Sequence, residues 1–260
     1  MAQAATADAQ EHRPRVNTIT FDNPWEWLAK GWNDLTRAPK FSLLYGAFFV
    51  LVSYAMTLGL MAEDLFFIIP PLAAGFFLVA PLLGIGLYQI SENLEKGGEI
   101  GFCQAIDAWK RNEVQLGAMA LVLVMVMLVW MLAGLLLFAL LYDQPVPTWD
   151  RFIPAVFLSG ESPIFVFAGT IAGAVIAAFT FAISAVTVPM LMDRQTDVMT
   201  AMRTSVEAVR VNWQAMTLWA CLIVMFVGVG IVTFYIGLAV AMPLVGHATW
   251  HAYRDLVPQD

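Results

Sequence analysis

Three pairs of polar residues have side chains of the type and spacing that could form a catalytic, metal-binding or transport site. Each pair follows a proline in an apolar run, and its members are three or four residues apart: Gln89 and Glu92, Asp193 and Asp197, His247 and His251. Such spacing places both members on one face of a helix. We therefore expect three helix ends to converge in a polar cluster at the cytoplasmic side of a membrane.

The histidine pair is the candidate for a metal or haem site, because two histidines four residues apart on a helix can bind one metal ion. The residues between them lack the glutamate that acts as the base of zinc proteases. The alternative is structural, because tryptophan, tyrosine and arginine beside this pair are typical of a helix anchored at the headgroups. We predict anchoring and no cofactor, with His247 and His251 as the metal candidates.

The sequence offers little else for catalysis or transport. It contains no constellation for nucleophilic catalysis, no glycine-rich phosphate loop and no lysine or arginine cluster that would bind nucleic acid. No predicted crossing has an ionisable residue at its centre, where such residues mark ion pathways and proton relays. We therefore expect neither an enzyme, an ion-coupled transporter nor a proton pump.

The composition is that of an integral membrane protein. Of the 260 residues, 60% are hydrophobic and 13% charged, against about 25% charged in soluble domains. Apolar runs of about 20 residues can each span a bilayer. We predict an all-α polytopic bundle of six transmembrane helices in three hairpins, at about 41–61, 65–89, 116–141, 163–192, 214–234 and 236–253.

These crossings form one domain, 17–257, between a disordered polar tail, 1–16, and a short tail, 258–260. Of the 13 lysines and arginines, only Arg151 falls on the side opposite to the others in this topology. An excess of basic residues marks cytoplasmic loops. The prediction is thus a bacterial inner (plasma) membrane protein with both termini in the cytoplasm.

A short amphipathic helix is predicted before the first, third and fifth crossings. In the first, Asn23 and Pro24 suit the start of a helix, and Pro39 ends it. Such a helix lies in the membrane interface and sets the depth of the next crossing, or alternatively docks a partner protein. The apolar faces are Trp25, Leu28, Trp32 and Leu35; Phe102, Ile106 and Trp109; and Met202, Val206 and Val209.

The pattern of surface helix, crossing and crossing occurs three times, which predicts an internal repeat. Residues 106–112 and 206–212 share the order apolar, acidic, alanine, apolar, basic, any residue, asparagine. Proline removes a backbone hydrogen bond and kinks a helix, and one is found in each returning crossing: Pro81, Pro189 and Pro243. Gly169 and Gly173 form a small-residue face, which predicts close packing of the fourth crossing on a neighbour rather than dimerisation.

Two segments of the sequence resemble a known family. They are the run PWEWLAKGWND at 24–34, followed by Pro39 and Tyr45-Gly46, and the run PLVGHATWHAYRD at 243–255. The chain is similar over roughly 17–257 to a bacterial integral-membrane family, domain-of-unknown-function family 2189. Some members carry the label of cytochrome c oxidase subunit, which implies a respiratory connection. The catalytic oxidase subunit is excluded, because its haem and copper sites need several membrane histidines and this chain has three in total.

We therefore expect a membrane protein without a catalytic site that is an accessory, assembly or scaffolding partner of a membrane complex, in contact with lipids and other membrane proteins. The alternative is a carrier or channel for a small or lipidic molecule. A tightly filled bundle centre favours the scaffold, whereas a solvent-continuous cavity between the kinked helices favours the carrier.

Overall fold

The computed structural model of the protein describes residues 15–101, 107–144, 151–152 and 154–259, and this part of the chain is helical without strands. Within it, five helical segments are long and apolar enough to cross a membrane: Pro39–Ala62, Phe66–Lys96, Glu113–Leu141, Pro163–Asp193 and Trp213–Val232. The all-α, multi-pass prediction is confirmed at this level. The sixth predicted crossing, 236–253, corresponds to a helix that is not among the five.

The helices are numbered in chain order. They are α1 (Asn23–Arg37), α2 (Pro39–Ala62), α3 (Ile69–Leu83), α4 (Ile85–Lys96), α5 (Glu113–Leu141), α6 (Pro163–Ser184), α7 (Thr187–Asp193), α8 (Val198–Val211), α9 (Trp213–Val232) and α10 (Leu238–Leu256). A 3-10 turn, Phe66–Ile68, precedes α3, and a π turn, Pro154–Leu158, precedes α6. The tail residues 1–14 and Asp260 lie outside the described part.

Helix α1 begins and ends at the signals that the sequence provides. Pro24 lies in the first turn, where its missing N–H group leaves no hydrogen bond unmade. Arg37 lies in the last turn, where a positive charge favours the helix dipole. Ala38 leaves the helical conformation before Pro39, which begins α2. A single residue therefore joins the two helices and fixes the angle at which α2 departs.

Two of the returning helices are broken close to their prolines. The break between α3 and α4 is at Gly84, three residues after Pro81. A two-residue break separates α6 from α7, and Pro189 lies in the first turn of α7. Helix α10 is continuous through Pro243. Both short helices that follow a break, α4 and α7, pack against α10.

Helix α10 is the centre of the bundle, because 14 of its 19 residues are buried and α1, α2, α4 and α9 pack on it. Two glycines allow this close approach. A Cβ atom on Gly31 of α1 would lie 2.8 Å from the Ala248 nitrogen, and one on Gly46 of α2 would lie 2.1 Å from the Ala239 carbonyl oxygen. The C-terminal half of α10 carries histidine, arginine and aspartate, and protein rather than lipid surrounds it.

The predicted apolar face of α1 is partly buried in the protein and partly exposed at its surface. Leu28 and Leu35 are buried together with Trp27, which the predicted stripe did not include. Trp25 and Trp32 are each 52% exposed. The helix therefore has one face against α10 and an adjacent tryptophan-bearing face that is open.

The other two predicted surface faces are partly described. Phe102 and Ile106 lie outside the described residues, and Trp109 is 36% exposed beside the buried Ala108. On α8, Met202 and Val209 are half-buried against the core, whereas Val206 is exposed. The most buried face of α8 carries small residues, Ala201, Ser205 and Ala208 among them.

Two asparagines tie successive parts of the bundle together. Asn212, before α9, accepts a hydrogen bond from the Ile19 backbone nitrogen at 2.8 Å and donates to the Asn17 carbonyl oxygen at 2.9 Å. Asn112, before α5, places its amide nitrogen 3.0 Å from the Thr196 carbonyl oxygen. Each asparagine thus holds the segment before another surface helix. Asn212 holds the segment before α1, and Asn112 holds the segment before α8.

Replacing Asn212 by alanine is expected to loosen the segment 15–20. The substitution removes both hydrogen bonds from a side chain that is 5% exposed, which costs about 1–2 kcal/mol. Hydrogen exchange of residues 15–20 is expected to accelerate by roughly tenfold, the kinetic equivalent of about 1.4 kcal/mol. The exposed Asn33 is the control, because its alanine variant should leave exchange there unchanged. Equal exchange in both variants would contradict this role of Asn212.

Candidate functional site

Polar side chains of α10 are bonded to the surrounding helices at the end of the bundle where α1 lies. We call this set the α10 polar layer. Its α10 members are His247, His251, Tyr253, Arg254 and Asp255, and its partners are Trp27, Asp34, Ser42, Ser91, Glu95, Asp193 and Arg194.

His247 joins α10 to α2 and α4. Its Nε2 atom is 2.9 Å from the Ser42 hydroxyl, and its Nδ1 atom is 2.8 Å from the Ser91 hydroxyl. A neutral imidazole has one N–H donor and one acceptor nitrogen, so one serine accepts a hydrogen bond and the other donates one. All three side chains are fully buried. The imidazole therefore has both nitrogens satisfied and no access to solvent.

His251 lies one turn further along α10 and contacts carboxylates instead. Its Nε2 atom is 2.8 Å from Asp34 Oδ2, and its Nδ1 atom is 3.6 Å from Glu95 Oε1. Glu95 also contacts Arg254, with 3.3 Å between Oε2 and Nε. Two carboxylates thus face one histidine and one arginine, and these contacts join α1, α4 and α10.

Asp193, at the end of α7, connects this helix to the α10 polar layer. The Tyr253 hydroxyl donates a 2.6 Å hydrogen bond to Asp193 Oδ2, and Arg194 Nε donates to the Tyr253 oxygen at 2.9 Å. Arg254 Nη1 is 3.9 Å from the same Asp193 oxygen. The side chain of Asp193 is 6% exposed, so its charge is compensated inside the protein.

Asp255 fixes the first helix and the N-terminal segment to the end of α10. The Trp27 indole nitrogen donates a 2.7 Å hydrogen bond to Asp255 Oδ2, and Lys30 lies 3.7 Å from Oδ1. The Asn17 amide donates to the Asp255 carbonyl oxygen at 2.9 Å. The indole is fully buried, which explains why this tryptophan does not join the exposed pair on α1.

The remaining predicted polar residues are outside the layer. Gln89 donates to Glu92, and Glu92 pairs with Lys96 and Arg111 rather than with either histidine. Asp197 is exposed and caps α8, where hydrogen bonds from the Thr200 side chain and backbone lower the pKa of Asp197. The three helix ends do come together, but α4 contributes Ser91 and Glu95 to α10 rather than Gln89 and Glu92.

The two histidines are engaged in contacts between helices. The two histidines bind different partners, and no group of three or more potential metal ligands occurs within the described ranges. Serine and histidine in hydrogen-bond contact can form a nucleophile and its base, yet Ser42, Ser91 and His247 are sealed from substrate. The observed contacts hold helices to one another.

Several residues of the layer were missed in the sequence because their partners come from distant helices. Ser42 and Ser91 lie 205 and 156 residues from His247. The charge pattern of α1 does not distinguish the buried Asp34 from the exposed Glu26 and Lys30, but Gly31 one turn before Asp34 indicates a close helix contact on that side. A glycine in a helix flanked by tryptophans is the cue that could have revealed the buried face.

A family model described as predicted integral membrane protein (DUF2189) matches residues 68–193. The match begins just before α3 and ends with α7, so it is shorter than the range 17–257 expected from the resemblance. The runs at 24–34 and 243–255 lie outside it. The resemblance to this family is confirmed over residues 68–193. No curated protein and no solved structure matches the chain.

Proposed function

Because residues 68–193 of this chain match a family of predicted integral membrane proteins (DUF2189), we propose that the protein functions within the membrane as a non-enzymatic scaffold. The protein would be an accessory or assembly partner of a larger membrane complex. The observation that carries this proposal is the filled centre of the bundle. Helix α10 is buried among its neighbours, and its polar side chains are engaged by α1, α2, α4 and α7.

The topology that fits this function has six crossings, with α10 as the sixth and both termini in the cytoplasm of a bacterial inner membrane. Its support is the turn between α9 and α10, where the Tyr235 hydroxyl is 2.9 Å from Thr57 near the far end of α2. Phe234 and Ile236 in this turn are exposed and apolar. The equivalent roles of Asn112 and Asn212 support the internal threefold repeat.

The surface proposed for partner binding is the tryptophan pair of α1, Trp25 and Trp32. These side chains are seven residues apart on one helix face, and half of each is exposed although the adjacent face of the helix packs on α10. Tryptophan is enriched among the residues that dominate binding energy at interfaces. A rigid helix presents this pair without a cost for ordering it on association. A respiratory oxidase is the partner that the family label implies.

The test is recovery of membrane partners from mild detergent with a tag at the N-terminus, followed by mass spectrometry. We expect a defined membrane complex to co-purify with the wild type. The double variant Trp25→Gln and Trp32→Gln should lose it by roughly thirtyfold, as expected for the removal of about 2 kcal/mol of interface energy. Trp213→Gln is the matched control, because Trp213 is 62% exposed on another helix.

Two outcomes would contradict this proposal in different ways. If no membrane complex is recovered with the wild type at native expression, the scaffold function is wrong. If the double variant recovers the complex as well as the wild type, the docking surface lies elsewhere. A loss that Trp213→Gln reproduces would indicate a general membrane effect rather than docking on α1.

The alternative, a carrier or channel for a small or lipidic molecule, is supported by one observation. A cavity of about 280 Å³ lies between α3, α5 and α6, away from α10. None of its lining residues belongs to the α10 polar layer. The cavity is therefore separate from the α10 polar layer.

A further inference from the structure

We propose that the cavity between α3, α5 and α6 binds a hydrocarbon chain of a membrane lipid. The cavity is lined by residues of three candidate membrane spans and by the segment before α6, which includes the buried Phe152 and Val156. This site is independent of the proposed scaffold function, because it shares no residue with the α10 polar layer or with the tryptophan pair of α1.

The lining excludes a polar ligand. Its one tryptophan, Trp130, donates its indole N–H to the Pro71 carbonyl oxygen at 2.7 Å. The Thr170 hydroxyl donates to the Val166 carbonyl oxygen within its own helix at 2.8 Å. The other lining side chains are hydrocarbon, aromatic or thioether groups and glycines. A polar molecule would lose its hydrogen bonds to water here without replacement, whereas a hydrocarbon chain loses none.

The size of the cavity fits part of a lipid chain. A buried cavity of about 150 Å³ takes up benzene, so 280 Å³ accommodates on the order of ten carbon atoms. Most of its walls are only half-buried, and Ala74 and Leu135 are exposed, so the cavity opens at the surface of the helices rather than being enclosed. The rest of the chain can therefore continue into the surrounding bilayer.

Shape rather than hydrophobicity must hold the chain, because lipid tails are as apolar as the cavity. Dispersion contacts supply the attraction, and an unfilled cavity forfeits them. Gly134 and Gly169 both line the cavity, and a Cβ atom on either would meet nothing within 4 Å. These two glycines therefore leave the space that the chain occupies, and larger side chains there would fill it.

The experiment compares Gly134→Leu and Gly169→Leu with Gly228→Leu. Gly228 is a matched control, because a Cβ atom there also meets nothing within 4 Å and the residue does not line the cavity. Each protein is purified in mild detergent, stripped of lipid, and titrated with palmitoyl-oleoyl phosphatidylglycerol or with a polyprenol. Bound lipid molecules are counted by native mass spectrometry, and the thermal midpoint is recorded in parallel.

We expect the wild type and Gly228→Leu to bind one chain and to gain thermal stability from it. Both cavity variants should remain folded and lose binding by roughly tenfold, equivalent to about 1.4 kcal/mol. Binding of the phospholipid assigns an acyl chain, and binding of the polyprenol alone assigns an isoprenoid chain at the same site. Undiminished binding to both cavity variants, or no saturable binding to the wild type, would overturn the proposal whatever the pull-down of partners shows.

Discussion

Replacing Gly46 by alanine is expected to separate α2 from α10 and to lower the stability of the protein by about 3 kcal/mol, the upper part of the usual range for overpacking. The added Cβ atom would lie 2.1 Å from the carbonyl oxygen of Ala239, with the carbonyl carbon and Cα of that residue at 2.7 and 2.8 Å. All three are backbone atoms, which cannot rotate away. The helices must move apart, and the contacts of α2 along α10 are weakened together.

The membrane increases the importance of this contact. Helices in lipid gain no hydrophobic energy from association, so close packing and hydrogen bonds hold them together. A loss of this size should lower the thermal midpoint in detergent by roughly 6–12 °C.

Gly59 supplies the control for this experiment on the same helix. A Cβ atom there meets nothing within 4 Å, so Gly59→Ala tests the change of residue without the clash. Because alanine stabilises a helix interior relative to glycine by about 0.5–1 kcal/mol, the control should be neutral or slightly more stable. Equal midpoints for Gly46→Ala and the wild type would show that α2 and α10 do not approach as closely as described.

The membrane crossings could be predicted from the sequence because their cause is local. A bilayer requires about 20 apolar residues in one run, and five of the six predicted runs correspond to the helical segments that are long and apolar enough to cross a membrane. The proline signals of α1 are local too, whereas the predicted cap Asn23 makes no capping hydrogen bond and Asp22 lies at the N-cap position. Such features depend on neighbours in the sequence, which composition and spacing record.

The role of α10 could not be predicted in the same way, because it depends on what surrounds the helix. Its sequence contains an apolar half and a polar half, and a pattern of this kind is compatible with an anchor at the headgroups. In the structure the polar half is buried by α1, α4 and α7, so His247 and His251 meet serines and carboxylates. Hydropathy measures the segment alone and carries no information on partners from distant helices.

The split of the apolar face of α1 into a buried part and an exposed part also depends on contacts with distant helices. Spacing places Trp25, Leu28, Trp32 and Leu35 near one another, but a helix surface has no fixed boundary between a face for protein and a face for lipid. The docking of α10 at Gly31 sets that boundary, so Trp27 is buried while Trp25 and Trp32 are exposed. The tertiary contact decides which side of an apolar stripe is covered.

Asp34 and His251 are expected to show strong energetic coupling, and each single substitution should release α1 from the bundle. Their contact, 2.8 Å between Oδ2 and Nε2, is buried, with Asp34 4% and His251 8% exposed. Asp34→Leu leaves His251 with only the more distant Glu95, and His251→Leu leaves a buried carboxylate without its hydrogen bond. Breaking a buried pair in this way costs about 3–5 kcal/mol.

The double variant, Asp34→Leu with His251→Leu, should be more stable than the sum of the single losses predicts, because no buried charge is then left without its partner. Replacement of a buried pair by apolar residues is often close to neutral, so the double variant should be more stable than either single variant. Thermal midpoints and the hydrogen exchange of residues 23–37 report the effect. Asp22→Ala, an exposed acid before the same helix, should change stability by less than about 0.5 kcal/mol. If the double variant is as unstable as the sum of the two single losses, Asp34 and His251 are not coupled. Helix α1 would then be held mainly by the contact between Trp27 and Asp255.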